Sequence, residues 1–402
     1  MARAGFSQVQ ASAIVRHLAA PRFAGRRTGT PGHDRALRWI ERRFRRLGFR
    51  PRRHRFVTDA SMVRAQALPR ASIAGDDRRV RAIRYRFDFV EHPASAALVG
   101  RLSGPIRRWR AGAPMRAGWA LLDPERRSSA SGSLHRQAQL AARRGAIGLL
   151  LPARVPSGGM FFKQPVPGRP FPRPAFLVRE ELLASAEGGG LELWARLRRS
   201  PLRGTNLIAE RGVPTGEFAL EPVIVGAHYD GVGDDPGGRR FPGASDNAVG
   251  VAIVLEIARV LRSEGRFGER PVWFVTFDAE EAGAFGSRAL ADEVRASGLR
   301  PIVLNVDAAV PPGRPFSIEG SPDARPLFAI LDQVGRRLGA PLVLGAVPSD
   351  HRPFSSVGFT SVGIGVGGQG FHTPQDRADR IDRADLRRAG ELALATLREL
   401  AG

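Results

Sequence analysis

The sequence predicts an α/β fold, a mostly parallel mixed sheet with helices on both faces, accompanied by an inserted β-rich module. From about residue 205 to the end, short apolar runs alternate with helical patterns, and this alternation is typical of parallel strands joined by helices. The runs are almost continuously apolar, which indicates strands covered on both faces. The predicted strands of this part are Val223–Gly226, Val272–Phe277, Ile302–Val306 and Ser361–Val366.

Helices are predicted where apolar residues recur at helical spacing. Residues 31–47 show this spacing, with Thr30-Pro31 suited to a helix start and Gly48 to a helix end. A short helix is predicted before it, over residues 8–19. The remaining predicted helices are Ala248–Leu261, Pro326–Leu338 and Asp385–Leu400, the last with Asp385 as its N-cap.

The chain between about residues 60 and 200 has a different texture. Short apolar strands at Trp119–Leu122, Ile147–Leu151 and Leu191–Leu197 alternate with connections rich in proline and glycine. A chain of 402 residues is also too long for one ordinary core. We therefore expect residues 61–200 to form an inserted module, residues 1–60 to supply amino-terminal helices of the main domain, and residues 201–402 to form the rest of it.

Composition limits the chemistry of the chain. It contains no cysteine, so disulfides, zinc–thiolate sites and cysteine nucleophiles are excluded. A metal would be held by imidazole and carboxylate, which suit a catalytic zinc, manganese or cobalt ion. No apolar run is long enough to span a bilayer, and the amino terminus lacks the apolar core of a signal peptide. As written, the protein is expected in the cytosol, unless an export signal lies outside this sequence.

The formal net charge of +23 comes almost entirely from arginine, since Lys163 is the single lysine. One interpretation is a protein that binds nucleic acid or an anionic surface. The other is codon bias, as in a GC-rich genome that places arginine on solvated faces. The arginines are spread over the whole chain, and no basic stripe interleaved with aromatic residues accompanies them. We favour codon bias and expect no specific nucleic-acid partner.

Acidic and imidazole side chains follow the predicted strands of the main domain. They are His228 and Asp230, then Glu280 and Glu281, then Asp307, then His372, with Asp246 in the loop before the helix at Ala248. In open α/β sheets, ligands bind beyond the carboxyl ends of the strands. At one sheet edge these groups would repel one another or stay unsatisfied unless a cation lay among them, and a divalent metal is the simplest neutraliser.

Taken alone, each residue has an ordinary structural explanation. His228 suits a buried core histidine, Asp246 suits a helix N-cap, and Glu280-Glu281 suits a solvated turn. The same holds for Asp307 at a strand end and His372 in a loop. Their conjunction at one predicted sheet edge, in a chain with 8 histidines, argues for a site.

The motifs His-x-Asp, Gly-Ala-Ser-Asp-Asn-Ala-x-Gly, Glu-Glu-x-Gly, Asn-x-Asp and His-Thr-x-x-Asp occur in this order over roughly residues 205–400. The series resembles the co-catalytic two-zinc aminopeptidases, a family that includes glutamate carboxypeptidase and, without activity, the transferrin receptor. The resemblance extends more weakly to the amino-terminal helices, and the middle region looks like the protease-associated (PA) domain that these enzymes often carry. It implies a zinc exopeptidase-like α/β/α sandwich with a PA insertion and a di-zinc domain over 201–402.

The resemblance also implies roles for individual residues. Asp246 would bridge two zinc ions, or manganese or cobalt in their place. His228 and Asp307 would complete one metal site, and Glu281 and His372 the other. Glu280 would be the general base, and Asp230 would orient His228 through its second ring nitrogen. The peptide bond between Asp246 and Asn247 is often cis in the family, and we expect the same here.

Two positions depart from the family pattern. Family aminopeptidases commonly have a tyrosine before the last zinc-binding histidine, and this chain has Phe371, which lacks the hydroxyl. We expect a slower rate or different substrate handling. Arg377 stands where a threonine often follows. Ser349-Asp350-His351 resembles a family segment near the substrate pocket, but a surface turn explains it equally well, so it is left out of the metal set.

The resulting expectation is a zinc-dependent exopeptidase, with an aminopeptidase favoured, acting on peptides through a metal-activated water. A carboxypeptidase-like enzyme or another amide hydrolase on the same metal core is the alternative. A non-catalytic binding relative would lack ligands, and none is missing. The sequence leaves the side-chain preference and the oligomeric state open.

Overall fold

The computed structural model describes residues 5–75, 79–110, 112–123, 134–155, 159–212, 221–264, 270–308, 314–366 and 370–401. The chain forms two compact units. The first contains Met1–Val57, Arg203–Asp234 and Arg240–Gly402, and the second contains Thr58–Leu202 and Asp235–Arg239.

Secondary structure is numbered along the whole chain. The helices are α1 Gln8–Leu18, α2 Pro31–Arg46, α3 Leu134–Arg143, α4 Glu180–Ala184, α5 Val249–Ser263, α6 Phe285–Ala296, α7 Arg325–Leu338, α8 His351–Ser356 and α9 Arg383–Ala401. The strands are β1 Arg52–Ala65, β2 Arg70–Ala74, β3 Val80–Ile83, β4 Phe89–Glu91, β5 Leu98–Arg108, β6 Trp119–Leu121, β7 Gly148–Ala153, β8 Ala175–Arg179, β9 Gly190–Arg211, β10 Val223–His228, β11 Val272–Phe277, β12 Ile302–Ala308, β13 Phe316–Gly320, β14 Leu342–Leu344 and β15 Ser361–Val366.

The sheet of the first unit is mixed and mostly parallel at its centre. β10 pairs in parallel with both β11 and β12, and β12 pairs in parallel with β15. The end of β9 adds antiparallel to β11, and β13 adds antiparallel to β15. The predicted fold class is therefore confirmed. Because the four central strands run in one direction, their carboxyl ends meet at one edge.

Helices cover both faces of this sheet. Successive side chains along β10 point alternately to two different helical clusters. Val223, Val225 and Ala227 are buried in a cluster with α1, α2, α5, α7 and α9. Ile224 is buried in a second cluster with α6 and Phe354 of α8. Successive strand residues point to opposite faces, so the two clusters are the two helical layers.

The second unit is rich in strands. β5, β6, β7 and β8 pair in parallel in that order, and β4 pairs antiparallel with β8. β2, β3 and the first part of β9 form an antiparallel ladder. The buried cores of this unit contain Trp119, Phe89 and Phe176, and α3 packs within it. Its assignment as a PA domain remains a prediction.

Hydrogen bonds at the starts of α2 and α9 show whether the predicted N-cap residues are correct. The hydroxyl of Thr30 accepts a hydrogen bond from the backbone N–H of His33 at 3.3 Å, so Thr30 caps α2 as predicted. The N-cap prediction for Asp385 is wrong, because α9 begins at Arg383 and the carboxylate of Asp382 accepts from the N–H of Asp385 at 2.9 Å. An aspartate three residues earlier in the chain has the same capping chemistry.

The predicted start of α5 is Ala248. The structure starts it at Val249, after a π-helical turn over Ala244–Ala248 whose Asp246-Asn247 peptide bond is cis, as expected. Among the described residues, no helix is both long and apolar enough to cross a bilayer.

Candidate metal centre

The proposed ligands are carried by the carboxyl ends of the parallel strands and the loops that follow them. His228 is the last residue of β10, and Asp307 lies near the end of β12. Glu281 follows β11, and His372 follows β15. Asp246 lies in the π-helical turn before α5. The structure brings all five together, as their positions past adjacent strand ends predicted.

The five residues form two groups that share one carboxylate. His228, Asp246 and Asp307 place ligand atoms within 4.8 Å of one another, and so do Asp246, Glu281 and His372. Oδ1 of Asp246 lies 3.3 Å from Nε2 of His228, while Oδ2 lies 3.0 Å from Nε2 of His372. Asp246 therefore presents one oxygen to each group.

The remaining contacts complete each group. Nε2 of His228 lies 3.4 Å from Oδ1 of Asp307, and Nε2 of His372 lies 2.8 Å from Oε2 of Glu281. His228 is fully buried and Glu281 is buried. Nε2 of His228 and Oε1 of Glu281 have no hydrogen-bond partner among the described residues. Buried polar atoms are normally satisfied, so these atoms are available to a cation, and the donor set of imidazole and carboxylate fits zinc.

Burial lowers the pKa of both histidines, but the surrounding carboxylates outweigh it. The charges of Asp307 and Glu280 raise the pKa of His228 well above its usual value. Hydrogen bonds and charges from Asp246 and Glu281 raise the pKa of His372 to about 10. Without a cation, the imidazoles therefore take protons to balance the acidic groups.

The carboxylates respond in opposite directions. Burial raises the pKa of Asp246, but its close contacts with the imidazoles of His228 and His372 overcome this and hold the pKa well below its usual value. Burial and the charge of Asp246 raise the pKa of Glu281 to about 7. Asp246 is therefore the more firmly ionised of the two.

Glu280 lies beside the first group, with Oε2 3.9 Å from Nε2 of His228. Burial raises its pKa well above the usual value, and the charges of Asp307, Asp350 and Glu281 act in the same direction. A buried carboxyl with a raised pKa has the property that a general base near neutral pH requires.

The carboxylate of Asp230 contacts the backbone of Glu280 and Glu281 more closely than it contacts the imidazole of His228. Its Oδ1 lies 3.5 Å from Nδ1 of His228, longer than a normal hydrogen bond. Its carboxylate accepts the backbone N–H groups of Glu280 at 3.1 Å and Glu281 at 3.3 Å. Asp230 therefore holds the acidic turn, residues 279–284, and also faces the imidazole of His228.

Asp376 holds the loop of the shared carboxylate and was not among the predicted site residues. Its two oxygens accept the N–H groups of Ser245 at 2.6 Å and Asp246 at 3.1 Å. Burial raises its pKa to about 6. Its place in the His-Thr-x-x-Asp motif was visible in the sequence, but the partner loop, about 130 residues earlier, was not.

The segment Ser349-Asp350-His351 is buried, so the surface-turn interpretation is wrong. The hydroxyl of Ser349 accepts a hydrogen bond from the side chain of Asn305 at 2.9 Å. Burial raises the pKa of Asp350 to about 7, and the charges of Asp230 and Asp307 act in the same direction. Asp350 is therefore electrostatically coupled to the centre.

The tyrosine hydroxyls of the chain are engaged in other contacts. Tyr229 is fully buried and donates to the backbone oxygen of Thr205 at 2.9 Å, while Tyr85 donates to Glu91 at 2.8 Å. Phe371 packs its ring 5.7 Å from that of His372. Arg377, the second departure, is exposed and paired with Asp379.

Imidazole and carboxylate groups past the carboxyl ends of parallel strands are an arrangement suited to a metal-binding site in an α/β protein. Residues 206–397 match the model of Peptidase family M28. This part of the chain is therefore similar to that family.

Two relatives match with similar extents. Endoplasmic reticulum metallopeptidase 1 of Homo sapiens is 28% identical over 194 residues, which cover 46% of this chain and 21% of the relative. Aminopeptidase YwaD of Bacillus subtilis is 29% identical over 195 residues, which cover 44% of this chain and 40% of the relative. The matched part thus spans about a fifth of the length of the human relative and two fifths of the length of the Bacillus subtilis relative.

The structure of a zinc aminopeptidase from Bacillus subtilis is similar over nearly the whole chain. The match covers 98% of this chain and 95% of the other, with a TM-score of 0.71 and 21% sequence identity. At this identity the likeness shows a shared fold, and the second unit is included in it.

Proposed function

We propose that the protein is a metal-dependent exopeptidase, most specifically an aminopeptidase that removes the amino-terminal residue of a peptide with the help of two divalent cations, zinc in the first place. The observation that supports two cations is the position of Asp246, whose oxygens face His228 and His372 at 3.3 and 3.0 Å. A neutral imidazole has one lone pair, so only the carboxylate can serve both groups.

The family match supports peptide hydrolysis, and the names of the relatives support the aminopeptidase assignment. In this proposal His228, Asp246 and Asp307 hold one cation, and Asp246, Glu281 and His372 hold the other. The cations, when bound, supply Lewis acidity toward a water molecule and the scissile carbonyl.

The residues of the chain perform the proton transfers. Glu280 accepts a proton from the attacking water and returns it to the leaving amine, because its carboxyl stands beside the group and has a raised pKa. Asp230 holds the backbone of Glu280 and Glu281, and this keeps the proposed base and the proposed ligand at fixed positions relative to each other. Phe371 provides no hydroxyl beside His372, so we expect a modest maximal rate.

The test combines metal analysis with a substrate pair. Purified protein should contain about two metal ions per chain, and chelation should abolish hydrolysis. An aminoacyl-p-nitroanilide should be hydrolysed, while an amino-terminally acylated peptide with a free carboxyl end should not. Hydrolysis of the acylated peptide alone would assign a carboxypeptidase instead, and metal-free protein with undiminished activity would contradict the proposal.

A further inference from the structure

A buried network links the amino-terminal segment to the acidic turn of the metal centre. The hydroxyl of Thr28 donates to Oδ1 of Asp278 at 2.9 Å and lies 3.5 Å from Oδ2 of Asp230. Nε2 of His33 lies 2.8 Å from the same Oδ1 of Asp278. Thr28 and His33 are both buried, and both lie outside the segment that matches the peptidase family.

Asp278 is anchored at each of its polar atoms. Its Oδ2 accepts the N–H of Thr205 at 2.7 Å and lies 3.1 Å from the hydroxyl oxygen of Tyr229. Its backbone N–H donates to Asn206 at 2.9 Å, and its backbone oxygen accepts from Gly286 at 3.0 Å. The residue directly after β11 is thereby fixed in position.

The acidic turn, residues 279–284, follows Asp278 and carries the proposed base and a proposed ligand. Its first residue, Ala279, has a φ of 59°, and Ala284 at the other end has a φ of 55°. Non-glycine residues adopt this left-handed region only when the surroundings hold them there. The carboxylate of Asp230 contributes to that hold by accepting the N–H groups of Glu280 and Glu281, and the backbone oxygen of Asp278 accepts the N–H of Gly286 just after the turn.

Asp230 and Asp278 are two buried carboxylates that approach the same hydroxyl. Two like charges in a buried place repel each other unless donors or a cation lie between them. Thr28 supplies the donor between them, and His33 supplies the ring nitrogen on Asp278. Without these contacts, no donor would lie between the two carboxylates and they would shift apart.

We propose that Thr28 and His33 are positioning residues of the metal centre, which hold Asp278 and Asp230 and through them the backbone of Glu280 and Glu281. The expected effect on metal binding and hydrolysis rests on the proposed function. The structural claim, that these contacts hold the backbone of Glu280 and Glu281, can be tested without activity. In this view the amino-terminal segment completes a site whose ligands and base all come from residues 228–372.

The test compares three threonine variants. Thr28→Val removes the hydroxyl and keeps the shape, and Thr28→Ser restores the hydroxyl. Thr30→Val is the matched control, because Thr30 lies in the same segment and its hydroxyl caps α2 by accepting the N–H of His33 and also donates to Arg27 O. Within the described part of the chain, no hydrogen bond joins Thr30 to Asp278 or Asp230. Loss of that cap should lower Tm by about 2–4 °C.

The first readout is amide hydrogen exchange at Glu280 and Glu281, whose N–H groups donate to Asp230. Thr28→Val should accelerate exchange at both amides by about tenfold or more, Thr28→Ser should restore slow exchange, and Thr30→Val should leave it unchanged. Equal acceleration in Thr28→Val and Thr30→Val would overturn the inference, since it would report a general loss of stability. So would unchanged exchange in Thr28→Val.

The second readout is zinc affinity and the kinetics of an aminoacyl-p-nitroanilide. Thr28→Val should weaken zinc binding or lower kcat by about 10–100-fold, the usual effect of removing a group that supports a ligand, with KM nearly constant. Wild-type protein without metal binding or hydrolysis would refute the proposed function, while the exchange result would still decide the role of Thr28. Active wild-type protein with unaffected Thr28→Val would refute the positioning role alone.

Discussion

Nε2 of His33 lies 2.8 Å from Oδ1 of Asp278, and both side chains are buried. Burial lowers the pKa of His33, but the charge and hydrogen bond of Asp278 outweigh it and raise the pKa from 6.5 to about 10. A raised histidine pKa stabilises the folded state fully below pH 6.5, and this stabilisation is lost as pH rises toward 10.

We therefore expect His33→Gln to cost most stability near pH 6 and progressively less toward pH 9. The difference between variant and wild type should shrink by about 1–3 kcal/mol over this range. Urea unfolding at fixed ionic strength measures it. A cost that is the same at both pH values would mean that His33 is neutral in the folded protein.

Replacement of the proposed base should separate metal binding from turnover. Glu280→Gln keeps the size of the side chain but accepts no proton at neutral pH. We expect about two bound metals, as in the wild type, and a kcat lower by about 10²–10⁴-fold. Metal analysis and steady-state kinetics check both parts. If the variant hydrolyses peptides at the normal rate, the base lies elsewhere.

The shared carboxylate should control metal stoichiometry. Asp246→Asn removes the charge that faces both histidines, so we expect the variant to lose affinity for both ions. His372→Ala removes a ligand of one group alone and should leave about one ion per chain. Equilibrium dialysis with zinc measures the counts. Equal stoichiometry in the two variants would argue against a shared ligand.

Metal binding should release protons. The metal-free pKa of His372 is about 10 and that of His228 is well raised, with the carboxylates outweighing burial in both cases. Histidine binds metal only in the neutral form. At pH 7 each ion should therefore displace protons, and affinity should fall as pH decreases. Calorimetry in buffers of different ionisation enthalpy counts the protons, and a count near zero would show that the imidazoles are already neutral.

The fully buried Arg26 should be important for stability. Its guanidinium donates to the backbone oxygens of Leu18, Tyr229, Pro242 and Gly243 at 2.7–3.0 Å. Arg26→Met removes four hydrogen bonds to backbone oxygens in a buried place, so we expect a loss of about 3 kcal/mol or more in the free energy of unfolding. Arg22→Met, at an exposed position nearby, should cost about 1 kcal/mol or less. Similar losses in both variants would contradict this account.

The four central strands of the main sheet were predictable because buried parallel strands leave continuous apolar runs. Val272–Phe277 and Ser361–Val366 were predicted with the bounds that the structure has. β1 and α6 were not predicted. β1 contains a run of arginine and polar residues, and α6 follows a turn with left-handed residues that carries no capping signal.

That the candidate ligands lie close together was also predictable, since they were placed after apolar strands whose carboxyl ends meet at one edge of the sheet. The supporting residues were not. Asp376, Thr28 and His33 contact residues more than 100 positions away in the sequence. Such contacts produce no periodicity and no local spacing, so only the folded chain reveals them.

By itself, the sequence determined the alternation of strands and helices, the absence of thiol chemistry, and the imidazole and carboxylate side chains that follow the strands. It did so because burial and ligand chemistry are local properties of residue type. The tertiary structure decided that Asp246 faces two histidines with its two oxygens, that Asp350 is buried, and that Thr28 and His33 lie behind the acidic turn. These relationships depend on which strands are neighbours and how their loops pack, and a hydrogen bond is set by distance in space rather than by separation along the chain.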